Sequence, residues 1–344
     1  MSSPEPGERR RFFRQILPAL VGIAVSVGLL VWVLRDVSLE EVSRHITSAR
    51  PGPLAIAVVL ATITFPLRLV RWRLLLRDES GKPYPSGPLW HAIALGFMAN
   101  NLLPLRAGEV IRSYAAARLA GARFTTVISS VAVERIFDAL TVVALLTLAL
   151  LTSDLPGSVT VGGTSVAQLA RLAGFVGAVA LLTAILVVAA PLAAERMVRR
   201  ALPHARLADR IVYLIEGVRQ GLAVLRSPRR LVGVVFWSLA LWLVNALAFY
   251  VGFAAFDIPV SYTGALLLQG LLVLGISIPS TPGFFGPFEA VIVAVLALYG
   301  IPGSLALSYA LAFHITTFVP ITLLGLWSAA RSPEGFRMLR RSPT

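Results

Sequence analysis

The sequence has no cysteine, which excludes disulfide frameworks, thiolate metal sites and cysteine nucleophiles together. Charge is also scarce. Only 14% of residues are Asp, Glu, Lys or Arg, against roughly 25% in a soluble domain, so a soluble globular enzyme is excluded. Negative charge is scarcer still: 17 Asp+Glu stand against 31 Lys+Arg, and Lys82 is the only lysine. The four histidines, His45, His91, His204 and His314, lie far apart, and no His-Glu-x-x-His, Gly-x-Ser-x-Gly or Asp-x-Asp occurs. Gly81-Lys82 is no P-loop, because Leu76 stands where the first glycine is needed. The basic surplus is not interleaved with aromatic residues, so nucleic acid is not an expected partner. No cofactor, metal or catalytic residue is assigned.

What the 344 residues do have is long apolar runs: 57% are hydrophobic, and the mean hydropathy is +0.80. A bilayer crossing needs about 20 such residues. Full spans are expected at 16–34, 53–72, 124–151, 167–190, 231–254 and 304–328. Two more runs, 88–119 and 262–299, are broken by proline, glycine and charge. With the N-terminus in the cytoplasm, inner segments hold 24 Lys/Arg and outer segments 4, and Arg106, Arg112 and Arg135 lie at membrane depth. That bias predicts both termini inside. The cations at 118–123 require 88–119 to enter and leave on the inner face. The cation-free links near 257 and 301 require 262–299 to do the same on the outer face. The expected fold is therefore an all-α polytopic membrane protein of six full spans and two oppositely oriented re-entrant hairpins. It forms a single domain over 16–328, flanked by basic cytoplasmic ends at 1–15 and 329–344.

The two hairpins repeat one pattern. Pro104, Gly108, Glu109, Gly121 and a span with Glu134 and Arg135 are matched by Pro282, Gly286, Glu289, Gly300 and a span with His314. This predicts an inverted-topology repeat, a build used by many transporters. Outside the membrane, Ser38-Leu39-Glu40-Glu41 reads as a capping box that opens a short surface helix. Segment 193–226, rich in arginine and apolar at helical spacing, reads as an amphipathic stretch on the inner surface. Trp72, Trp90, Trp237 and Trp327 fall near span ends, as interfacial belts do.

Charges at membrane depth point to function. Arg106, Arg112 and Arg135, with Asn100 and Asn101, are candidates to bind a lipid headgroup. Glu109, Glu134, Asp138, Glu289 and His314 are candidates to balance charge or carry a coupling proton. Pro104 and Gly108, and Pro282, Gly283 and Gly286, mark the hairpin tips, where irregular backbone at that depth must be buried or line a wet cavity. Ion pairs from Arg112 or Arg106 to Glu134 or Asp138 are the competing structural use of the same residues.

Three motifs, Asn100 to Glu109, Val133-Glu134-Arg135-Ile136-Phe137-Asp138, and Pro279 to Glu289, resemble the lysylphosphatidylglycerol synthase transmembrane-domain family, also called flippase-like. The resemblance covers about residues 12–330. His314 stands where that family more often has arginine, and the soluble aminoacyl transferase domain of the full-length synthases has no counterpart here, so an enzyme is not expected. The resemblance implies a bacterial inner-membrane protein that moves or binds an anionic or aminoacylated phospholipid, or a polyprenyl phosphate, through a central charged cavity. Alternatives are a membrane-embedded glycosyltransferase acting on a lipid-linked sugar, for which Asp36, Glu40 and Glu41 are the outer acidic residues, and a non-transporting scaffold. A separately encoded lipid-modifying enzyme and a second copy of the chain are the candidate protein partners.

Overall fold

A computed structural model describes residues 21–35, 37–78, 80–103, 107–152, 227–277 and 281–331, with short pieces between 160 and 182. Ten helices follow along these residues: α1 (Val21–Leu34), then α2 (Leu39–Ser48), α3 (Pro51–Leu75), α4 (Ser86–Leu102), α5 (Gly108–Ala120) and α6 (Phe124–Thr152). After them come α7 (Pro228–Phe253), α8 (Tyr262–Gly275), α9 (Pro287–Ala297) and α10 (Gly303–Arg331). A helical piece also occupies 171–179. The all-α expectation needs one small amendment: Thr160–Val161 pairs antiparallel with Thr164–Ser165. The rest of the span expected at 167–190, the amphipathic stretch 193–226 and most of both basic ends lie outside the described residues.

Four helices, α3, α6, α7 with its short extension to Phe256, and α10, are long and apolar enough to cross a membrane. At 1.5 Å per residue, 25 to 29 residues reach about 37–43 Å, more than the roughly 30 Å of a hydrocarbon core. Their apolar surface is not spent on a core. Only 22% of the most apolar window of α3 is buried, and Ile56, Val59, Val232, Phe236, Leu323 and Trp327 are exposed. Such faces suit lipid. The axis turns by 86° between α1 and α2, as expected where a span gives way to a surface helix. Ser38 accepts a hydrogen bond from the Glu41 amide (3.4 Å) at that N-terminus.

Each interrupted run is two helices joined across a break. In the first, α4 and α5 meet at Gly96 and Gly108. A Cβ on Gly108 would lie 2.0 Å from the Gly96 carbonyl oxygen, so only glycine allows this approach. Helix α5 stops at Gly121, which takes the left-handed conformation (φ 68°) that favours glycine. In the second, α8 and α9 are joined through a 3₁₀ turn at Pro282–Phe284. Pro287 opens α9 at its first turn, where a missing N–H costs nothing.

Two apolar clusters hold these pieces. Phe65, Trp72, Leu89, Leu95, Met98 and Val131 join α3, α4 and α6. Leu241, Phe249, Leu268, Val295, Tyr309 and Phe313 join α7 to α10. The halves are tied where Gly325 of α10 lets α4 come close: a Cβ there would meet Met98 Cβ at 2.2 Å.

Candidate functional site

Helix α6 presents Glu134, Arg135 and Asp138 toward α3 and α5. Positions 134 and 138 are four apart and share a face, while Arg135 sits one position round. Helix α5 brings Arg112, three residues after Glu109. Arg112 grips Glu134 with both terminal nitrogens, Nη1 to Oε1 at 2.8 Å and Nη2 to Oε2 at 2.9 Å. Its guanidinium also lies 3.8 Å from the Trp72 ring centroid. Arg135 donates to Glu134 Oε1 (2.6 Å) and pairs with Asp138 Oδ2 (3.1 Å) and Glu109 Oε1 (3.4 Å). Glu134 is fully buried, while the side chains of Arg135 and Glu109 are 43% and 33% exposed. The cluster is thus closed on one side and open on the other.

Two further cations complete it, and sequence reasoning missed both. Arg71 of α3 is fully buried; it pairs with Glu134 (3.2 Å) and Asp138 (2.5 Å) and donates to Ser238 Oγ of α7 (3.0 Å). Arg68, one turn earlier, lies over the Phe97 ring at 4.9 Å. The sequence alone places both at the inner end of a span expected to stop at residue 72. The helix runs on to Leu75, and the two carboxylates draw Arg71 inward. The inner tally falls by two, which leaves the charge bias intact. Trp72 is likewise no belt residue: it is buried and donates to Ser130 Oγ (3.0 Å). Trp242 Nε1 donates to Asp138 Oδ1 (3.0 Å). The one legible signal was that Arg68 and Arg71 are three apart inside a run still apolar on both sides.

The second half is built differently. Glu289 of α9 is fully buried. Its Oε2 accepts the Gly286 N–H (2.7 Å), capping its own helix, and its Oε1 meets His314 Nδ1 of α10 at 2.6 Å. His314 Nε2 lies 2.9 Å from the Gly283 carbonyl oxygen. The ring is stacked between Phe288 (4.1 Å) and Phe285 (4.5 Å). Both ring nitrogens thus have a hydrogen-bond partner, one on the carboxylate and one on the tip backbone. Gly283 (φ 71°) and Gly286 (φ 96°) hold the left-handed conformations of this tip, and Ser26 Oγ of α1 accepts the Thr281 N–H (3.0 Å).

Several expected roles change with this geometry. Arg112 was a candidate headgroup ligand, but its fork is taken by Glu134 and it is 2% exposed; it fastens the hairpin to α6. Asn100 accepts the Gly108 N–H (2.9 Å), capping the returning helix, and Asn101 donates to Thr322 Oγ1 (2.9 Å) on α10. Their amides bind protein. Pro104 and Arg106 lie outside the described residues. Pro282 begins the 3₁₀ turn.

The family described as "Lysylphosphatidylglycerol synthase TM region" matches residues 19–325. Among curated relatives, "Glycosyltransferase AglD" of Haloferax volcanii is 29% identical over 337 residues, covering 89% of this chain and 53% of that protein. The chain therefore spans about half the length of AglD. Two "UPF0104 membrane protein" sequences of Methanothermobacter thermautotrophicus are 25% and 23% identical, covering 93% and 92% of this chain and 94% and 93% of their own lengths.

Proposed function

We propose a function from one premise: the chain belongs to the lysylphosphatidylglycerol synthase transmembrane-region family. It is a membrane protein that moves a phospholipid with an anionic or aminoacylated headgroup across a bacterial inner membrane. Its N- and C-termini are cytoplasmic, and its two broken-helix hairpins enter from opposite faces. The observation that carries this reading is the first charge cluster. Four arginines and three carboxylates converge from α3, α5 and α6, buried on one side and open at Arg135 and Glu109 on the other. Charges at such depth are costly, and structural pairing alone needs no open side. Arg135, paired with Glu109, Glu134 and Asp138 but 43% exposed, is the cation at the open side, and Glu109 is placed to meet a cationic headgroup group. The hydrogen-bonded pair of His314 and Glu289 lies against the second hairpin tip, where a coupling proton would act on tip movement.

A second reading, sugar transfer from or to a lipid carrier, is favoured only by the similarity to a protein named a glycosyltransferase, AglD. Of its expected outer acidic residues, Glu41 opens α2 beside its cap Ser38, and Asp36 lies outside the described residues.

Purified protein in liposomes carrying labelled phosphatidylglycerol, its lysyl derivative or a polyprenyl phosphate distinguishes the readings. The expected result is movement of one lipid class. Replacing Arg135 by Gln should slow it about tenfold, the scale of one charge-assisted contact, while Arg118→Gln on the exposed face of α5 leaves it unchanged. Folded wild-type protein that moves none of the three contradicts the proposal.

A further inference from the structure

Arg68 is the charge that the ion-pair network leaves over. It is 7% exposed, and its Nε has no hydrogen-bond partner. No ion pair reaches it among the described residues. Its nearest carboxylates are already engaged. Asp138 Oδ1 takes Arg71 and Trp242, Asp138 Oδ2 faces Arg135, and Glu134 is shared by Arg71, Arg112 and Arg135. Yet Arg68 stands within electrostatic reach of Asp138, Arg71, Arg135 and Glu134, so it belongs to the cluster. Four arginines against three carboxylates leave one positive charge uncompensated.

A buried, unpaired guanidinium is among the more expensive groups a protein can keep. The Arg68 guanidinium carbon lies 4.9 Å from the centre of the Phe97 ring, which is itself packed on Phe65 at 4.9 Å. An aromatic face attracts a guanidinium without using its N–H donors, and those donors suit two-pronged capture of a phosphate. The residual charge also matches: a phosphodiester carries one negative charge. The other arginines of the cluster are paired with its carboxylates, and of these Arg135 is the exposed one, at 43%.

We infer that Arg68, with the exposed Arg135 beside it in the cluster, binds one phosphate-type anion carried by a phospholipid headgroup at the junction of α3, α4 and α6. This rests on the reading of the first charge cluster as a headgroup site and adds a residue that sequence reasoning assigned to a loop. The bound phosphodiester neutralises the surplus charge, so the empty protein is the less stable form.

The test uses the full chain in dodecyl maltoside micelles, which carry no phosphate, with and without added phosphatidylglycerol. Native mass spectrometry reads how many phosphatidylglycerol molecules remain bound, and a thermal melt in micelles without lipid reads the empty protein. Wild type, Arg68→Gln and the surface control Arg118→Gln are compared. Arg68→Gln should lower phosphatidylglycerol retention about tenfold, the effect of removing one charged contact. It should melt no lower than wild type without lipid, because an unpaired buried charge has been removed. Unchanged retention overturns the inference. So does lost retention accompanied by a lower melting temperature, which is the signature of a purely structural arginine. Displacement of the bound lipid by millimolar inorganic phosphate, with no preference for the lipid, assigns the site to free phosphate and overturns the headgroup part. Lipid that is retained through Arg68 but never translocated by wild type sinks the transport reading and leaves this site standing.

Discussion

Glu134 and Glu289 are both fully buried carboxylates, yet they call for opposite mutational behaviour. Glu134 holds three guanidiniums at once. Glu134→Gln leaves those buried cations short of countercharge and should destabilise by about 3–5 kcal/mol, the cost of breaking a buried pair from one side. Adding Arg112→Met to it should cost less than the two single changes summed, because neither partner is then stranded. Thermal unfolding of the four proteins of that cycle checks both statements. Glu289 has two hydrogen-bond partners, the Gly286 N–H and His314 Nδ1. Gln at 289 supplies both: its oxygen accepts from Gly286 and its amide donates to Nδ1, while the ring keeps Nε2–H on Gly283. Glu289→Gln should therefore melt close to wild type. His314→Ala strands the carboxylate and should lose about 3–5 kcal/mol. A melt in which Glu289→Gln falls as far as His314→Ala would show that the carboxylate's charge, not its hydrogen bonds, holds the tip.

At the scale of elements, the breaks were easier to read than the ends. Proline and glycine at 104–108 and 282–286 announce interrupted helices because each removes a backbone donor or admits left-handed geometry, and both signals are local. The end of α3 was not legible. Arg68 and Arg71 resemble the start of a loop until the carboxylates of α6, more than sixty residues away, are brought beside them; that pairing is tertiary and leaves no local trace. The same holds for Asn100, whose amide was assigned to a ligand and instead caps α5. Close approach is equally non-local. Gly108 and Gly121 look alike in sequence, but a methyl on Gly108 collides with the Gly96 carbonyl, whereas one on Gly121 meets nothing within 4 Å. Gly121→Ala should cost about 1–2 kcal/mol, from left-handed geometry alone. Gly108→Ala must move α5 away from α4 and should cost more, with loss of translocation as well. Paired melts and flux measurements of the two variants test this ranking.

The whole molecule is an apolar shell around charges that do not face lipid. Ile56, Val232, Phe236 and Leu323 lie outward, and Arg71, Glu134, Asp138, Glu289 and His314 lie inward. The positive-inside count and the membrane class were legible because they depend on composition and on loops. The partners of each charge were not, since they depend on packing. Transport through this interior requires the two hairpins to reach it from opposite faces, and the absence of cysteine makes that directly measurable. Single cysteines at Lys82, Arg118, Arg44 and Gly303 can be labelled in intact and inverted vesicles with a membrane-impermeant maleimide. Positions 82 and 118 flank the first hairpin; position 303 follows the second. The account predicts that 82 and 118 react from the cytoplasmic face, and 44 and 303 from the opposite one. Reaction of 118 from the face opposite 82 would mean that the α4–α5 pair crosses the bilayer, and would contradict the re-entrant arrangement on which the transport reading stands.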